Sequence, residues 1–321
     1  MTTNNITTVT YFILQGILDI PELQVFFFLL VLLTYLITLG GNVIILILVC
    51  LDSHLHTPMY FFLCNLSILN ICSTTVTLHK VFVMFVTGDN EVSYTSCMAQ
   101  VYLYVWLSSN EFLLLTAMSY DRYVAIYRPL HYSALMNSGV CAALAIFCWS
   151  LSFLLRLPAM VILWQFSCYT SNTINHFLCD AVLLMDLSCS DTSTLELLML
   201  YGSFFSAFIP FVLIVISYFF IIITIMRIKS STGRSKAFYT CSSHLTIVSF
   251  HYLSIACLYV IPSGTVKTMK FLSLLSTAVV PMLNPFIYSL KNKDVKSAVQ
   301  RRLKSFTIIT GKEVIFWVGK T

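Results

Sequence analysis

Apolar residues in this chain fill whole stretches rather than marking one face of a repeating pattern. Charge-free runs cover Leu23–Leu51, Pro129–Leu155, Leu157–Cys179, Leu197–Met226, Ala237–Val266 and Phe271–Leu290. Two further runs, Ser53–His79 and Val92–Asn110, stay apolar past one ionisable residue each, Lys80 and Glu111, to Val86 and Tyr120. The later half of Leu157–Cys179, from Cys168 to His176, is too polar for lipid and reads as a loop. A hydrocarbon core of about 30 Å takes about 20 helical residues. Open strand edges cannot lie in lipid, and these runs are too long for barrel strands, so the spans are helices. The predicted helices are Leu23–Leu51, Pro58–Val86, Ser96–Ile126, Gly139–Trp164, Leu195–Ile228, Lys236–Ile261 and Lys270–Leu290. The expectation is an all-α membrane protein, a seven-transmembrane helix bundle of one domain over residues 1–321. A tail of residues 1–22 precedes it and one of residues 291–321 follows. A short amphipathic C-terminal helix is expected at Asn292–Phe306, its basic residues toward headgroups and Val295, Val299, Leu303 and Phe306 toward acyl chains.

Composition agrees. The chain is 58% hydrophobic and 10% charged, against about 25% charged in an ordinary soluble domain. Pro210, Pro281 and Pro285 fall inside apolar runs, where each removes a backbone donor and should kink its helix. The net charge of +5 is unevenly spread. No Lys or Arg precedes the first helix or lies in the Trp164–Glu196 loop. Arg128, Arg227, Lys229, Arg234, Lys236, Lys291, Lys293, Lys296, Arg301, Arg302 and Lys304 lie on the other side. Basic loops stay cytoplasmic, so the N-terminus is expected outside the plasma membrane and the C-terminus in the cytosol. Anionic lipid headgroups, not nucleic acid, are the expected partner of this charge. No removable signal peptide is visible. Asn5-Ile6-Thr7 is a glycosylation sequon on the outer tail. Asn65-Leu66-Ser67 also matches but lies inside a helix, where modification is not expected.

Seven of the eleven cysteines fall in predicted helices. Cys97, Cys168, Cys179 and Cys189 lie on the outer side, where disulfides persist. Four cysteines allow three pairings, which sequence alone leaves open. The favoured reading joins Cys97 to Cys179, tying the long loop to the third helix, and Cys168 to Cys189, closing that loop on itself. Without a CxxC spacing, no metal site is expected.

Several stretches then resemble one family. Met118-Ser119-Tyr120-Asp121-Arg122-Tyr123-Val124-Ala125-Ile126 closes the third helix and resembles the central signature of odorant receptors, rhodopsin-like G-protein-coupled receptors. Leu55–Leu63, Lys236–Leu245 and Pro281–Val295 resemble further signatures of that family, and Gly41-Asn42 and Ser217-Tyr218 also fit. The likeness runs from about residue 20 to 305. It implies binding of a small volatile odorant within the bundle and activation of a stimulatory, olfactory-type G protein that raises cyclic AMP. Receptor-trafficking chaperones are implied as further partners. It also implies that Asp121 holds Arg122 at rest, and that Arg122 turns to the G protein as the sixth helix swings out. Tyr218 and Tyr288 would then move toward Arg122. Tyr123, Asn284 and Pro285 belong to the same coupling motifs. Physics supports the first pairing independently, because a charge at the membrane must pair or face a cavity.

Glu111 is an intramembrane carboxylate and hence a functional candidate. The family pairs it with an aspartate in the second helix, and the two could hold sodium. Here Asn70 stands at that position, which removes one negative charge and leaves a Glu111–Asn70 hydrogen bond as the other reading. No other cofactor is expected. Three further departures are His79 before Lys80, Tyr127 after Ile126 and the unexplained Gly311–Thr321 segment. For the ligand, helical spacing in the outer halves of three helices brings forward Tyr104, Val105, Ser108 and Ser109, then Gly202, Ser203 and Ser206, then Tyr252, Ile255 and Tyr259. No deep basic or acidic anchor is evident among these, so a neutral volatile fits best. An enzyme would need more: Glu111 lacks a second carboxylate, and the GxSxG context that would put a serine beside His244 or His251 is absent. A transporter or channel would show paired broken helices or polar rings. A receptor of another branch, for peptide or lipid ligands, is the alternative.

Overall fold

The computed structural model describes residues 9–16, 21–260, 266–290 and 295–302, with the side chains of 21–23, 236, 240, 258–260, 266–267 and 288–290 outside that description. The long helices are α1 (Pro21–Leu51), α2 (Pro58–Thr87), α3 (Tyr94–Tyr127), α4 (Ser138–Trp164), α5 (Ser193–Met226), α6 (Ser231–Val260) and α7 (266–290). Each predicted span is present; α6 and α7 begin about one turn earlier than the charge pattern suggested. Among the described residues, five helices are long and apolar enough to cross a membrane by length and composition: Gln24–Leu51, Pro58–Thr87, Ser138–Trp164, Ser193–Met226 and Thr268–Ile287. The helices α3 and α6 are as long but more polar. Their polar groups are accommodated inside the bundle, where α3 packs against α2, α4, α5 and α6. By contrast α1 leaves Val25, Phe26, Leu29, Leu30 and Leu33 exposed, which suits a lipid-facing surface.

Caps and close approaches explain the helix ends and crossings. Asn137 caps α4 by accepting from the Val140 amide at 3.0 Å. Gly88 ends α2 with a φ of 72°, the left-handed conformation glycine adopts without steric cost. Gly41 matters for contact: a Cβ there would meet Pro285 Cγ at 2.8 Å, so only glycine lets α1 and α7 approach this closely. Two of the three prolines follow widened turns, while Pro285 lies within regular helix. A π-turn at Phe204–Phe208 precedes Pro210, and another at Leu275–Val279 precedes Pro281. Each proline lacks the N–H that would close an ordinary turn, so the helix loosens just before it.

Two features refine the picture at the ends of the helical bundle. The outer tail is not wholly unstructured. Strand β1 (Tyr11–Leu14) pairs antiparallel with β2 (Glu91–Ser93) and parallel with β3 (Thr173–Ile174). Phe12 and Leu14 point into a cluster with Val92, Met98, Tyr169 and Ile174, which is why so short a sheet persists. At the other end, residues 295–302 are helical, but Val295 and Ala298 are buried and Val299 packs beside them on the bundle core. That part of the apolar face meets protein, not acyl chains. Leu303 and Phe306 lie outside the described residues, as do Asn5 and the Gly311–Thr321 segment.

Arg301 from this helix donates through Nε and Nη2 to Asp52 Oδ2 at 3.0 and 2.8 Å. Asp52 also accepts from the His54 amide at the start of the first cytoplasmic turn. The Arg301 hydrogen bonds, foremost, hold the Asp52 carboxyl down to about 2. A depressed carboxylate stabilises above its ordinary pKa near 4, and that contribution is lost only as pH falls toward 2. The Arg301 side chain is 43% exposed, so solvent screens the pair. Asp52→Asn is therefore expected to lower the melting temperature in detergent by no more than about 2 °C, equally at pH 5 and pH 8. A larger fall, or one that grows toward pH 8, would count against a screened pair.

Candidate functional site

Near the C-terminal end of α3, Asp121 is fully buried and Arg122 mostly so. Arg122 Nε donates to Asp121 Oδ2 at 2.9 Å, and its Nη2 donates to the same oxygen. The other carboxylate oxygen accepts from the Tyr132 hydroxyl at 2.7 Å. Tyr132 opens a one-turn helix, Tyr132–Leu135, after α3. The tyrosine therefore ties the segment between α3 and α4 to the acidic partner of the arginine. Sequence reading passed over Tyr132, which carries no motif of its own.

Tyr218 on α5 is buried. Its hydroxyl lies 2.8 Å from His244 Nδ1 on α6, and His244 Nε2 lies 3.1 Å from the Leu115 carbonyl on α3. A carbonyl can only accept, so Nε2 carries the proton and Nδ1 accepts from Tyr218. One imidazole thus links α3, α5 and α6. Its family signature was legible, but its role as a bridge was not. Tyr123 stacks on Tyr127 at 5.1 Å and lies against Phe220 of α5. The Tyr288 side chain is outside the described residues.

A polar chain crosses the middle of the bundle. Asn284 Nδ2 on α7 donates to Asn70 Oδ1 on α2 at 3.2 Å, and Asn70 Nδ2 donates to Asn42 Oδ1 on α1 at 3.3 Å. Asn42 in turn donates to the Thr38 carbonyl. These residues meet most of one another's needs inside a medium where an unpaired amide is costly, Asn284 Oδ1 being the exception among the described residues. Asn65 is likewise committed to helix packing, accepting from Trp149 Nε1 at 3.1 Å.

Glu111 does not pair with Asn70. Its Oε1 makes no hydrogen bond and lies 3.6 Å from His251 Nδ1 on α6. Asn70 Oδ1 already accepts from Asn284. These residues do not assemble the joint oxygen set that a sodium ion would need, and no step below uses one. Phe112 and Tyr252 enclose the imidazole. Removing one member of such a buried pair strands the other, whereas removing both is far milder. Glu111→Gln and His251→Phe are each expected to lower the melting temperature of solubilised receptor, with the double variant losing less than the sum. Strict additivity would mean that the two are not coupled.

The outer-half residues gather around an unforeseen cation. Arg156 on α4 is only 8% exposed. It donates from Nε to Ser109 Oγ at 2.7 Å, from Nη2 to Ser206 Oγ at 2.7 Å and from Nη1 to Ser203 Oγ at 3.4 Å. Gly202 packs against the same guanidinium. This corrects the expectation of a bundle without a deep charged anchor: the reading followed α3, α5 and α6, and the anchor arrives from α4. Tyr252 donates to the Ala207 carbonyl in the π-turn of α5 at 3.1 Å. Tyr104, Val105, Ser108 and Ile255 are partly buried on the same helices. The Tyr259 side chain lies outside the described residues.

Two disulfides hold the outer loop. Cys97 pairs with Cys179 at a Cα separation of 5.5 Å, and Cys168 with Cys189 at 5.4 Å. Gln100 braces the first, donating to the Val76 carbonyl and accepting from the Cys179 amide at 2.9 Å each.

A helical bundle closed by an arginine–aspartate pair, with a loop bonded to the outer end of its third helix, has the fold of rhodopsin-like receptors. The crystal structure of squid rhodopsin matches it with a TM-score of 0.70 over 89% of this chain and 85% of that one, at 19% identity. Residues 31–305 match the family described as Olfactory receptor. Human olfactory receptor 6C74 is 46% identical over 310 residues, 96% of this chain and 99% of that protein. Human olfactory receptor 6C3 is 44% identical over 296 residues, 92% of this chain and 95% of that protein. The mouse olfactory receptor 5B21 is 44% identical over 304 residues, 94% and 95% of the two chains. The chain belongs to the olfactory receptor family. It is a multi-pass membrane receptor and not an enzyme, and its family implies odorant sensing through a G protein.

Proposed function

We propose that this receptor converts odorant binding in the outer half of the bundle into activation of a stimulatory, olfactory-type G protein and a rise in cyclic AMP. The N-terminus faces outward and the C-terminus the cytosol, as the placement of Lys and Arg favours. Asn5 carries a glycan, and trafficking chaperones assist delivery. The observation that carries the reading is the pair Arg122–Asp121, with Tyr132 on the second carboxylate oxygen. An odorant shifts the equilibrium only by binding the active arrangement more tightly than the resting one. In the active arrangement α6 moves away from α3, the His244 bridge between Tyr218 and Leu115 breaks, and Arg122 leaves Asp121 for the G protein. Apolar contacts with one or two hydrogen bonds suggest micromolar affinity, about −8 kcal/mol.

The test is cyclic AMP in cells expressing the full chain with a trafficking chaperone across a broad panel of volatiles. A dose-dependent rise in transfected cells only is the expected result. Silence across the panel with confirmed surface expression, or a signal through another second messenger, would refute the stimulatory coupling.

A further inference from the structure

We infer that a cavity between the N-terminal part of α1 and the C-terminal part of α2, beside β1, binds a small neutral alcohol at a place distinct from the odorant region of α3, α5 and α6. The cavity has a volume of about 240 Å³. An apolar cavity of about 150 Å³ takes up benzene, so in proportion this one admits about ten non-hydrogen atoms. Its walls suit an alkyl body. Leu14 and Val81 are buried beneath it, and Phe27 is half-buried at its side. Phe28 and Phe85 both line it and stack on each other, with ring centroids 3.9 Å apart and planes 8° from parallel. They form a flat apolar wall that bridges the two helices. Met84 lines the cavity as well and is unbranched, so it can adjust to the shape of what enters.

The rim selects the head of the ligand. Gln15 and Asn90 line the cavity and are exposed. A side-chain amide offers both donor and acceptor, and so does a hydroxyl, which makes an alcohol the matching group. An apolar pocket with a few placed polar groups is the ordinary form of a small-molecule site. None of the described lining residues is charged. The nearby cation, Lys80, donates to Asp89 and to the Glu91 carbonyl. A carboxylate ligand would therefore lose water without gaining a charged partner. The rim is held in place by the small sheet. The Leu14 amide donates to the Asn90 carbonyl at 3.0 Å, and the Gln15 amide to the Ile174 carbonyl at 3.1 Å. An occupant would thus touch α1, α2 and the strand that ties both to the Cys179 loop.

The test uses full-length receptor in phosphatidylcholine nanodiscs and a photoreactive diazirine analogue of 1-octanol, with labelled peptides read by mass spectrometry. This readout does not depend on G-protein coupling. Saturable label is expected on α1 at Phe27 and Phe28 and on α2 at Met84 and Phe85. Excess 1-octanol should displace it about fivefold more effectively than octane at equal concentration in the bilayer, the contribution of one hydrogen bond. Gln15→Leu combined with Asn90→Leu should erase that difference. Both residues serve the sheet through backbone atoms, so these replacements leave the pairing of β1 in place. Label on those turns that excess 1-octanol does not displace is bilayer background and overturns the proposal. Equal displacement by 1-octanol and octane in the wild type overturns it too, as does label confined to α3, α5 and α6. Nanodiscs that contain cholesterol test the other source of a hydroxyl. Label retained in them supports a small alcohol, and label displaced by the sterol gives the cavity to a membrane lipid and overturns the assignment.

Discussion

Arg122→Ala is expected to abolish odorant-driven cyclic AMP while much of the receptor still reaches the cell surface. In the proposed mechanism the arginine is the charge held in reserve at this end of α3, clasped by Asp121. Without it no cation remains on that turn of α3 to meet the G protein. The structural cost is limited, because Asp121 keeps the Tyr132 hydroxyl as a partner. The measurement is the cyclic AMP dose response, normalised to surface label. A variant that signals at wild-type potency would remove Arg122 from the mechanism. Arg122→Lys is a useful companion, because it keeps the charge but loses the two-nitrogen grip on Asp121.

Cys97→Ser should have the second large effect, on delivery rather than signalling. The Cys97–Cys179 bond closes a loop with a sequence separation of 82. On chain-entropy grounds such a cross-link is worth about 4–5 kcal/mol, comparable with the whole stability of many domains at roughly 5–15 kcal/mol. Both sulfurs are fully buried, so the variant also leaves hydroxyl and thiol in an apolar cluster. Surface label is expected to fall by about tenfold or more. The Cys168–Cys189 bond spans only 21 residues and should be worth about 3 kcal/mol. Cys168→Ser is therefore the milder variant. Normal surface levels of Cys97→Ser would sink the argument.

Much of this molecule was legible because lipid leaves few options. A run such as Leu23–Leu51 can only be a helix in a bilayer, and the motif from Met118 to Ile126 announces its own neighbourhood. The four loop cysteines were legible, but sequence left three pairings open, and the structure shows the favoured one. What escaped the sequence was contact between elements that no local pattern relates. Arg156 looks like the end of an apolar run; only packing reveals that it meets serines 47 and 50 residues away. Glu111 reads as a partner of the second helix, but His251 on α6 lies closer to hand. The strand Tyr11–Leu14 is too short to signal itself, since its register depends on loops from two distant segments.

That last strand bears on how the receptor can be handled. Phe12 and Leu14 face inward while Tyr11 faces out and Ile13 lies between. In a strand, side chains alternate sides, so one residue inserted between Phe12 and Leu14 would put these two buried side chains on opposite faces. Epitopes and fusion partners for surface assays therefore belong upstream of Val9, and a label spliced a few residues later would report on a receptor whose outer loops no longer share a sheet.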